Sequence, residues 1–409
     1  MSVLLSEKFN NSLAANSKNA VLDAAKIAEK NDYEIFLIGG IVRDLIMGNP
    51  IKDIDIAVQG DAVRFAEILD LETDCEILNI QEKLRTAKVK FTNGVEIDFA
   101  STREEKYSES GRLPIAYNFG CDLECDIKRR DFTINTLALK LTGEEKFSLV
   151  DYCNGYEDIQ NKKIRILHNK SFIDDPSRIV RALKFKERFD FQLEENTFVL
   201  MQKYLKNVNA KMPLERVKSE FRQYFQIEKD GLYERLIDAN AYKLISDKPI
   251  LSVDETKFSG LYSFDLFNKE DKWFIYVLLL IVNSDYALKR LNLTAFEKNA
   301  IKEIRELLKK PAKSFEGKYA IYNSFNKLSG IALCVYYMIS DNPAVTKFLE
   351  ALRDIRVLIS GKDLIDLGLI PSAYFNKIFD KILKEKLEGR LGTKEEELAF
   401  VKQFIKKGE

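Results

Sequence analysis

Asp53 and Asp55 stand one isoleucine apart in IKDIDIAV, residues 51 to 58. Side chains two apart on a strand share a face, so Ile54 and Ile56 can enter a core while both aspartates project from the other side. Neighbouring carboxylates repel and raise each other's pKa unless a cation lies between them. Oxygen-only ligands of this kind suit Mg²⁺. A second stretch, NGVEIDFA at 93 to 100, repeats the alternation, with Val95, Ile97 and Phe99 on one side and Glu96 and Asp98 on the other. If the two strands lie close, Asp98 supplies a third carboxylate. Three acids around two metal ions can activate an attacking hydroxyl and stabilise a leaving pyrophosphate. The plainer alternative for an isolated D-x-D is a solvated pair at a strand end.

Two further stretches carry groups that suit phosphates and sugars. FLIGGIVRD, residues 36 to 44, reads as a strand, then Gly39 and Gly40, then a helix beginning near Ile41 with Arg43 in its first turn. Glycines at such a junction let backbone N–H groups approach a phosphate, and the helix N-terminus adds positive potential. DIKRRDFTINTLAL, residues 126 to 139, reads as a helix. Asp131 and Asn135 then share a face and could bind sugar hydroxyls, while Arg129 and Arg130 could meet triphosphate oxygens. A tight turn and an ordinary amphipathic helix are the alternatives for these stretches taken singly.

These residues must be positioned by a scaffold, and the chain shows two regimes. From about 33 to 150, short β-rich segments (YEIFLI, KDIDIAV, AKVKFTNGVEIDFA, FSLVDY) alternate with helical stretches, the pattern of a mixed α/β domain. Beyond about 160, apolar residues three and four apart dominate, as in DPSRIVRALKFKERF, PLERVKSEFRQYF and AFEKNAIKEIRELL, and strand signals largely vanish. Breaks are expected at Pro213, over 247 to 260 and at Pro311. At 409 residues and 46% hydrophobic composition, two to four domains are expected.

Composition excludes several classes. The longest apolar run, WFIYVLLLIV at 273 to 282, is about half of what crosses a bilayer, and the N-terminal stretch lacks a basic flank and a sustained apolar run. No membrane partner is expected, and a reduced cytoplasm fits the five irregularly spaced cysteines. Cys121 and Cys125 have no second pair to complete a zinc site, and His168 is the single histidine. Basic and acidic residues both number 64, so any nucleic-acid partner must be held by local clusters such as KILKEKLEGR and KKPAKS.

Together, IGGIVRD…IKDIDIAV, VEIDFA, RRDFTINTLAL and DDPSRIVRALKF resemble, in order and separation, the class II tRNA nucleotidyltransferases. That family groups CCA-adding enzymes and bacterial poly(A) polymerases within the polymerase-β superfamily. The likeness is close over the first 225 residues and returns in the C-terminal ISGKDLIDLGLIPSAYFNKIFDKIL. It implies an α+β protein: a mixed α/β nucleotidyltransferase head (1–150) followed by an all-helical neck (151–230), body (231–315) and tail (316–409), in a curved shape that holds the acceptor arm of tRNA. It implies Asp53 and Asp55 as metal-binding catalytic aspartates with Asp98 beside them, and Mg²⁺ as the cofactor. Gly39, Gly40 and Arg43 would contact the triphosphate, and Arg129, Arg130, Asp131 and Asn135 the ribose and phosphates. Asp174, Asp175, Arg178 and Arg181 fall in the nucleotide-recognition motif, supported by Arg216 and Glu220.

Asp175 and Arg178 would read the incoming base. Cytosine and adenine each present an exocyclic amino donor beside a ring-nitrogen acceptor, which a carboxylate and a guanidinium match; uracil and guanine present the reverse. The chain has Asp174 where the family usually has Glu, Thr136 for Ala and Lys184 for Arg, and GRLPIAYNFG lacks an aspartate expected after its proline. The loop from Arg103 to Asp126 is full length, whereas enzymes adding only the two cytidines tend to have it shortened. Complete CCA addition from CTP and ATP is therefore the leading expectation, with A-only addition, CC-only addition and poly(A) synthesis as alternatives. A nonenzymatic RNA-binding protein on this scaffold would have broken metal ligands, and an antibiotic-modifying nucleotidyltransferase would not need the long helical half. Oligomeric state is not legible.

Overall fold

The computed structural model describes residues 2–109, 111–208 and 214–406. Pro213 lies outside them. The chain forms two compact units. The first runs to Lys229 and takes in Leu236–Leu244; the second comprises Asp230–Arg235 and Ile245 onward.

The first unit is built on a seven-stranded mixed sheet. Its first five strands in chain order are β1 (Glu34–Ile38), β2 (Asp55–Gln59), β3 (Cys75–Gln81), β4 (Thr86–Phe91) and β5 (Glu96–Ser101), and the spatial order is β3-β4-β5-β2-β1, then Ala138–Lys140 and Leu149–Val150. β1 and β2 sit near the middle, which is why EIFLI and IAV are almost continuously buried, while β4 and β5 alternate buried with partly exposed residues. β4 and β5 form the hairpin expected from AKVKFTNGVEIDFA, turning at Gly94 with φ +83°, a backbone conformation that favours glycine. β2 and β5 run parallel, with Asp55 opposite Asp98.

Helix Ala15–Lys30 buries Ala20, Val21, Ala24, Ala25 and Ala28, and helix Ala62–Glu72 is capped by Asp61, whose carboxylate accepts from the Val63 and Arg64 N–H groups. The stretch 126 to 139 is not one helix. A short helix Leu123–Lys128 is followed by an extended Phe132, a 3₁₀ turn Thr133–Asn135 and the strand Ala138–Lys140. Phe132 bridges to Ile166, and the Thr133 N–H donates to the Arg165 carbonyl at 3.0 Å. The helices Ser177–Phe189 and Leu214–Phe225 pack on one another and complete this unit's helical part. Strands do not vanish entirely there: Lys163–Ile164 pairs with Gln192–Leu193.

The second unit is helical. Helix Lys272–Ile281 carries the apolar run, with Phe274 to Ile281 buried, and among the described residues no helix is long and apolar enough to cross a membrane. Its C-terminal helices Gly361–Asp366, Tyr374–Leu387 and Lys394–Lys406 enclose Leu364, Ile378, Ile382 and Val401. Within KILKEKLEGR, Lys386 is not available to a partner. It is buried against Glu397 at 2.5 Å, and Glu397 also accepts from the Leu358 and Ile359 N–H groups. An α+β chain with a mixed sheet domain followed by helices is therefore what the sequence folds into.

Candidate active site

Asp55 opens β2, and Asp53 lies two residues before it in the approach to the strand, both exposed around a buried Ile54. Asp98 stands on the neighbouring strand, its N–H donating to the Ile54 carbonyl at 3.0 Å. The alternation read from sequence thus turns all three acids to one region. Asp55 is reached by solvent but walled by protein, and that partial desolvation, with the charges of Asp98 and Asp53, pushes its carboxyl above the ordinary range, against the pull of Arg130. The three do not form a ready-made metal cluster: among the described residues, no group of three or more histidine, cysteine or acidic side chains is placed to hold an ion. On β4, Lys88 sits opposite Asp98 and donates to its Oδ2 at 2.7 Å. The donor set is nonetheless all oxygen, and a carboxylate whose ionised form is disfavoured by its own neighbours is one that a divalent cation would relieve. Oxygen donors of this kind suit a hard divalent cation.

Facing the acids is a wall of guanidinium groups, each fixed by a carboxylate. Gly39, at φ +76°, caps the helix Gly40–Met47, and a Cβ there would come within 3.2 Å of Arg130 Nη1. Arg43 is buried. Its Nε and Nη2 donate to the two Asp44 oxygens at 3.1 and 2.9 Å, its Nη1 donates to Asn135 Oδ1 at 2.5 Å, and it stacks 4.6 Å over the Phe189 ring. Burial draws its pKa down, against the support of Asp44. Asp126 holds both following arginines: Arg129 reaches Oδ1 at 2.7 Å and Arg130 reaches Oδ2 at 2.9 Å. Burial opposes the Asp126 charge, but the two guanidinium groups outweigh it and keep the carboxyl below its usual range.

Asp131 and Asn135 meet although no helix joins them. Asn135 Nδ2 donates to Asp131 Oδ1 at 3.0 Å, and Asp131 Oδ2 accepts from Arg181 Nε and Nη2 at 2.9 and 2.5 Å. Burial opposes the Asp131 charge, yet Arg181 and these hydrogen bonds lower its pKa to about 2. Glu220 accepts from Arg181 Nη1 at 3.2 Å and from Lys184 Nζ at 2.8 Å. Lys184, standing where the family usually has arginine, thus keeps an ion pair with Glu220.

One cavity of about 1180 Å³ is lined by most of these residues: Asp53, Asp55 and Asp98 together with Gly39, Gly40, Arg43, Arg129, Arg130, Asp131, Asn135 and Arg181. Asp174, Asp175, Arg178, Arg216 and Glu220 do not line it. Asp174 ends a short helix and lies 4.0 Å from His168 Nδ1. Asp175 and Arg178 are both buried at the start of helix Ser177–Phe189, 3.8 Å apart. Asp175 pairs with Arg216 at 2.6 Å, while Arg178 donates to Ser171 Oγ at 2.7 Å and to the Arg129 carbonyl at 2.9 Å. The pair is therefore tied to the arginine wall through the Arg129 backbone. Sequence reasoning missed Asp126, although it lies three and four residues before Arg129 and Arg130, a helical spacing visible in DIKRR. It also missed Phe185, Arg188, Gln223 and Gln226, which line the cavity and carry no signal without the fold.

Comparison with known proteins agrees with this fold. Residues 35–165 match the Poly A polymerase head domain family. The chain is 30% identical to the A-adding tRNA nucleotidyltransferase of Geobacter sulfurreducens over 92% of its own length, and it spans 46%, about half, of that relative. It is 27% identical to the A-adding tRNA nucleotidyltransferase of Halalkalibacterium halodurans, covering 98% of this chain and 96% of that one. The solved structure of the Thermotoga maritima CCA-adding enzyme complexed with tRNA_CCA superposes with a TM-score of 0.75 at 25% identity, over 98% of both chains. With sheet and helices in agreement, residues 35–165 carry a Poly A polymerase head domain, and the chain as a whole is similar to A-adding and CCA-adding tRNA nucleotidyltransferases.

Proposed function

We propose that the chain is a template-independent RNA nucleotidyltransferase that adds C, C and A to the 3′ end of tRNA, using CTP and ATP and releasing pyrophosphate. The observation that carries this reading is the cavity in which exposed carboxylates face a wall of oriented guanidinium groups. Its volume accommodates a nucleoside triphosphate with room for a second reactant. Gly39, Gly40, Arg43, Arg129 and Arg130 hold the triphosphate, and Asp131 with Asn135 presents acceptors and donors to the ribose. The RNA 3′-hydroxyl oxygen forms a bond to the α-phosphorus as the bond to the bridging oxygen breaks, and pyrophosphate leaves with that electron pair. Asp98 takes the hydroxyl proton and passes it to solvent. Mg²⁺ held by Asp53 and Asp55 would supply neutralisation of the charge that develops on the phosphate oxygens. Asp175 and Arg178 read the base, with Arg216 and Glu220 as support. The division into head (1–150), neck (151–230), body (231–315) and tail (316–409), with the tail on the tRNA, belongs to the same proposal.

A-only addition is the second reading, because both curated relatives described above are named A-adding enzymes. The full-length loop between Arg103 and Asp126 argues against CC-only addition and is shared by the two readings. Sequencing the 3′ ends made from tRNA lacking CCA, from tRNA lacking only A and from a generic RNA separates the cases. Extension of the first substrate to CCA supports the proposal; extension of only the second assigns A addition, and long A tracts on generic RNA assign poly(A) synthesis.

A further inference from the structure

Lys88, Asp98 and Asp55 stand in one row across three neighbouring strands. Lys88 on β4 is in register with Asp98 on β5, and Asp98 with Asp55 on β2. Residues directly opposed in a sheet share a face, so the ammonium group and the two carboxylates lie together. Lys88 Nζ reaches Asp98 Oδ2 at 2.7 Å and Glu96 at 3.8 Å. The bond to Asp98, with the charges of Glu96 and Asp53, holds the Lys88 pKa above its ordinary value.

Asp53, Asp55 and Asp98 all line the large cavity, yet among the described residues no three such side chains are placed around one ion position. Lys88 is not part of that lining. Its pair with Asp98 is open to water, with 38% of the Lys88 side chain and 45% of the Asp98 side chain exposed. Ion pairs this open add little to stability, because water screens the attraction and two side chains lose freedom. Their effect on a neighbouring ion is larger. The ammonium occupies a carboxylate oxygen that a cation between the acids would use, and its charge opposes a divalent ion.

We propose that Lys88 holds Asp98 out of the metal's coordination shell, dividing the three acids into a cation-binding pair, Asp53 and Asp55, and a third acid kept by an internal ammonium. The inference rests on the nucleotidyltransferase reading above, in which Asp98 is a base and not a ligand. A third anionic ligand would leave the ion with less charge for the phosphate oxygens, and would tie up the carboxylate that must take the hydroxyl proton. Lys88 acts through Asp98 and is a positioning residue.

The test uses Mn²⁺ alone as the probe, because its free form is counted by electron paramagnetic resonance. Binding is measured on the full chain at physiological salt without RNA or nucleotide, and the part lost in Asp55→Asn is that of the site. Lys88→Met removes the charge from a side chain of similar length. It should tighten this binding about tenfold, as the released carboxylate joins the ion and the opposing charge is gone. In an Asp98→Asn background the same substitution should gain no more than about threefold, the share due to charge alone. Lys88→Arg can keep the pair and should bind within about twofold of wild type. Equal gains with and without Asp98 overturn the proposal, and so does a gain in Lys88→Arg that equals that of Lys88→Met. Unchanged or weaker affinity in Lys88→Met overturns it as well, and a lower melting temperature in that case makes the pair a cross-strand staple. Absence of Asp55-dependent binding in the wild-type chain also overturns it. Failure of the functional reading is seen separately, as absence of nucleotide incorporation by the wild-type chain, and the Mn²⁺ measurements still decide what Lys88 does in that case.

Discussion

Replacing Asp131 with asparagine removes a charge on which the candidate site converges. The carboxylate is 8% exposed and accepts from Asn135, from the Phe132 N–H and twice from Arg181. With its pKa lowered to about 2 from 3.8, the folded state gains on the order of 2 kcal/mol from ionisation. Because the folded pKa is the lower one, this stabilisation is complete above about pH 4 and is lost as the pH falls toward about 2. Asparagine keeps one acceptor oxygen but leaves Arg181 with Glu220 as its one ion-pair partner among the described residues. The expected cost at pH 7 is about 2 kcal/mol, or a melting temperature lower by about 4–8 °C for a unit of this size. Calorimetry of the full chain follows the transition of the sheet-bearing unit at pH 7 and at pH 3. The variant should melt lower at pH 7, and the gap should narrow at pH 3. A variant within 1 °C of wild type at pH 7, or a gap that widens on acidification, refutes the electrostatic account.

Three further outcomes follow from the same geometry. Asp53→Ala or Asp55→Ala should abolish incorporation, a loss of several kcal/mol of transition-state stabilisation, while leaving tRNA binding largely intact; near-normal turnover in either would refute the metal-ligand assignment. In competition among the four triphosphates on tRNA lacking CCA, Asp175→Ala or Arg178→Ala should blunt the preference for CTP and ATP over UTP and GTP, since mispairing costs roughly 1–3 kcal/mol per contact. An unchanged preference in both removes the pair from base selection. Affinity for tRNA should fall steeply between low and physiological salt as released counterions become harder to displace; a flat response would leave the exposed Lys309, Lys310 and Lys313 without a phosphate-binding role.

What could be read from the sequence was what alternation and spacing encode. Ile54 and Ile56, then Ile97 and Phe99, mark strands with acids on the other face, and that rule needs no knowledge of which strands become neighbours. The pairing of Asp55 with Asp98 is a matter of strand order, and only the fold supplies it. DIKRRDFTINTLAL shows why local pattern fails. Ile127, Ile134 and Leu137 are buried at intervals of seven and three that suit a helix, but Phe132 is held extended by its bridge to Ile166, and Ala138–Lys140 joins the sheet beside β1. Asp131 and Asn135 still meet, so a mistaken element carried a correct contact.

The arginines show the same limit from the side of charge. Arg43, Arg129, Arg130 and Arg181 read in sequence as cations waiting for an anion, yet each is already bound to an acid: Asp44, Asp126 or Asp131. Each of these acids orients its arginine before any ligand arrives, so less side-chain freedom remains to be lost on binding. A chain with 64 basic and 64 acidic residues can therefore present a phosphate site as well ordered as that of a basic protein. Its neutrality arises partly because the acids that aim those guanidinium groups are counted with them.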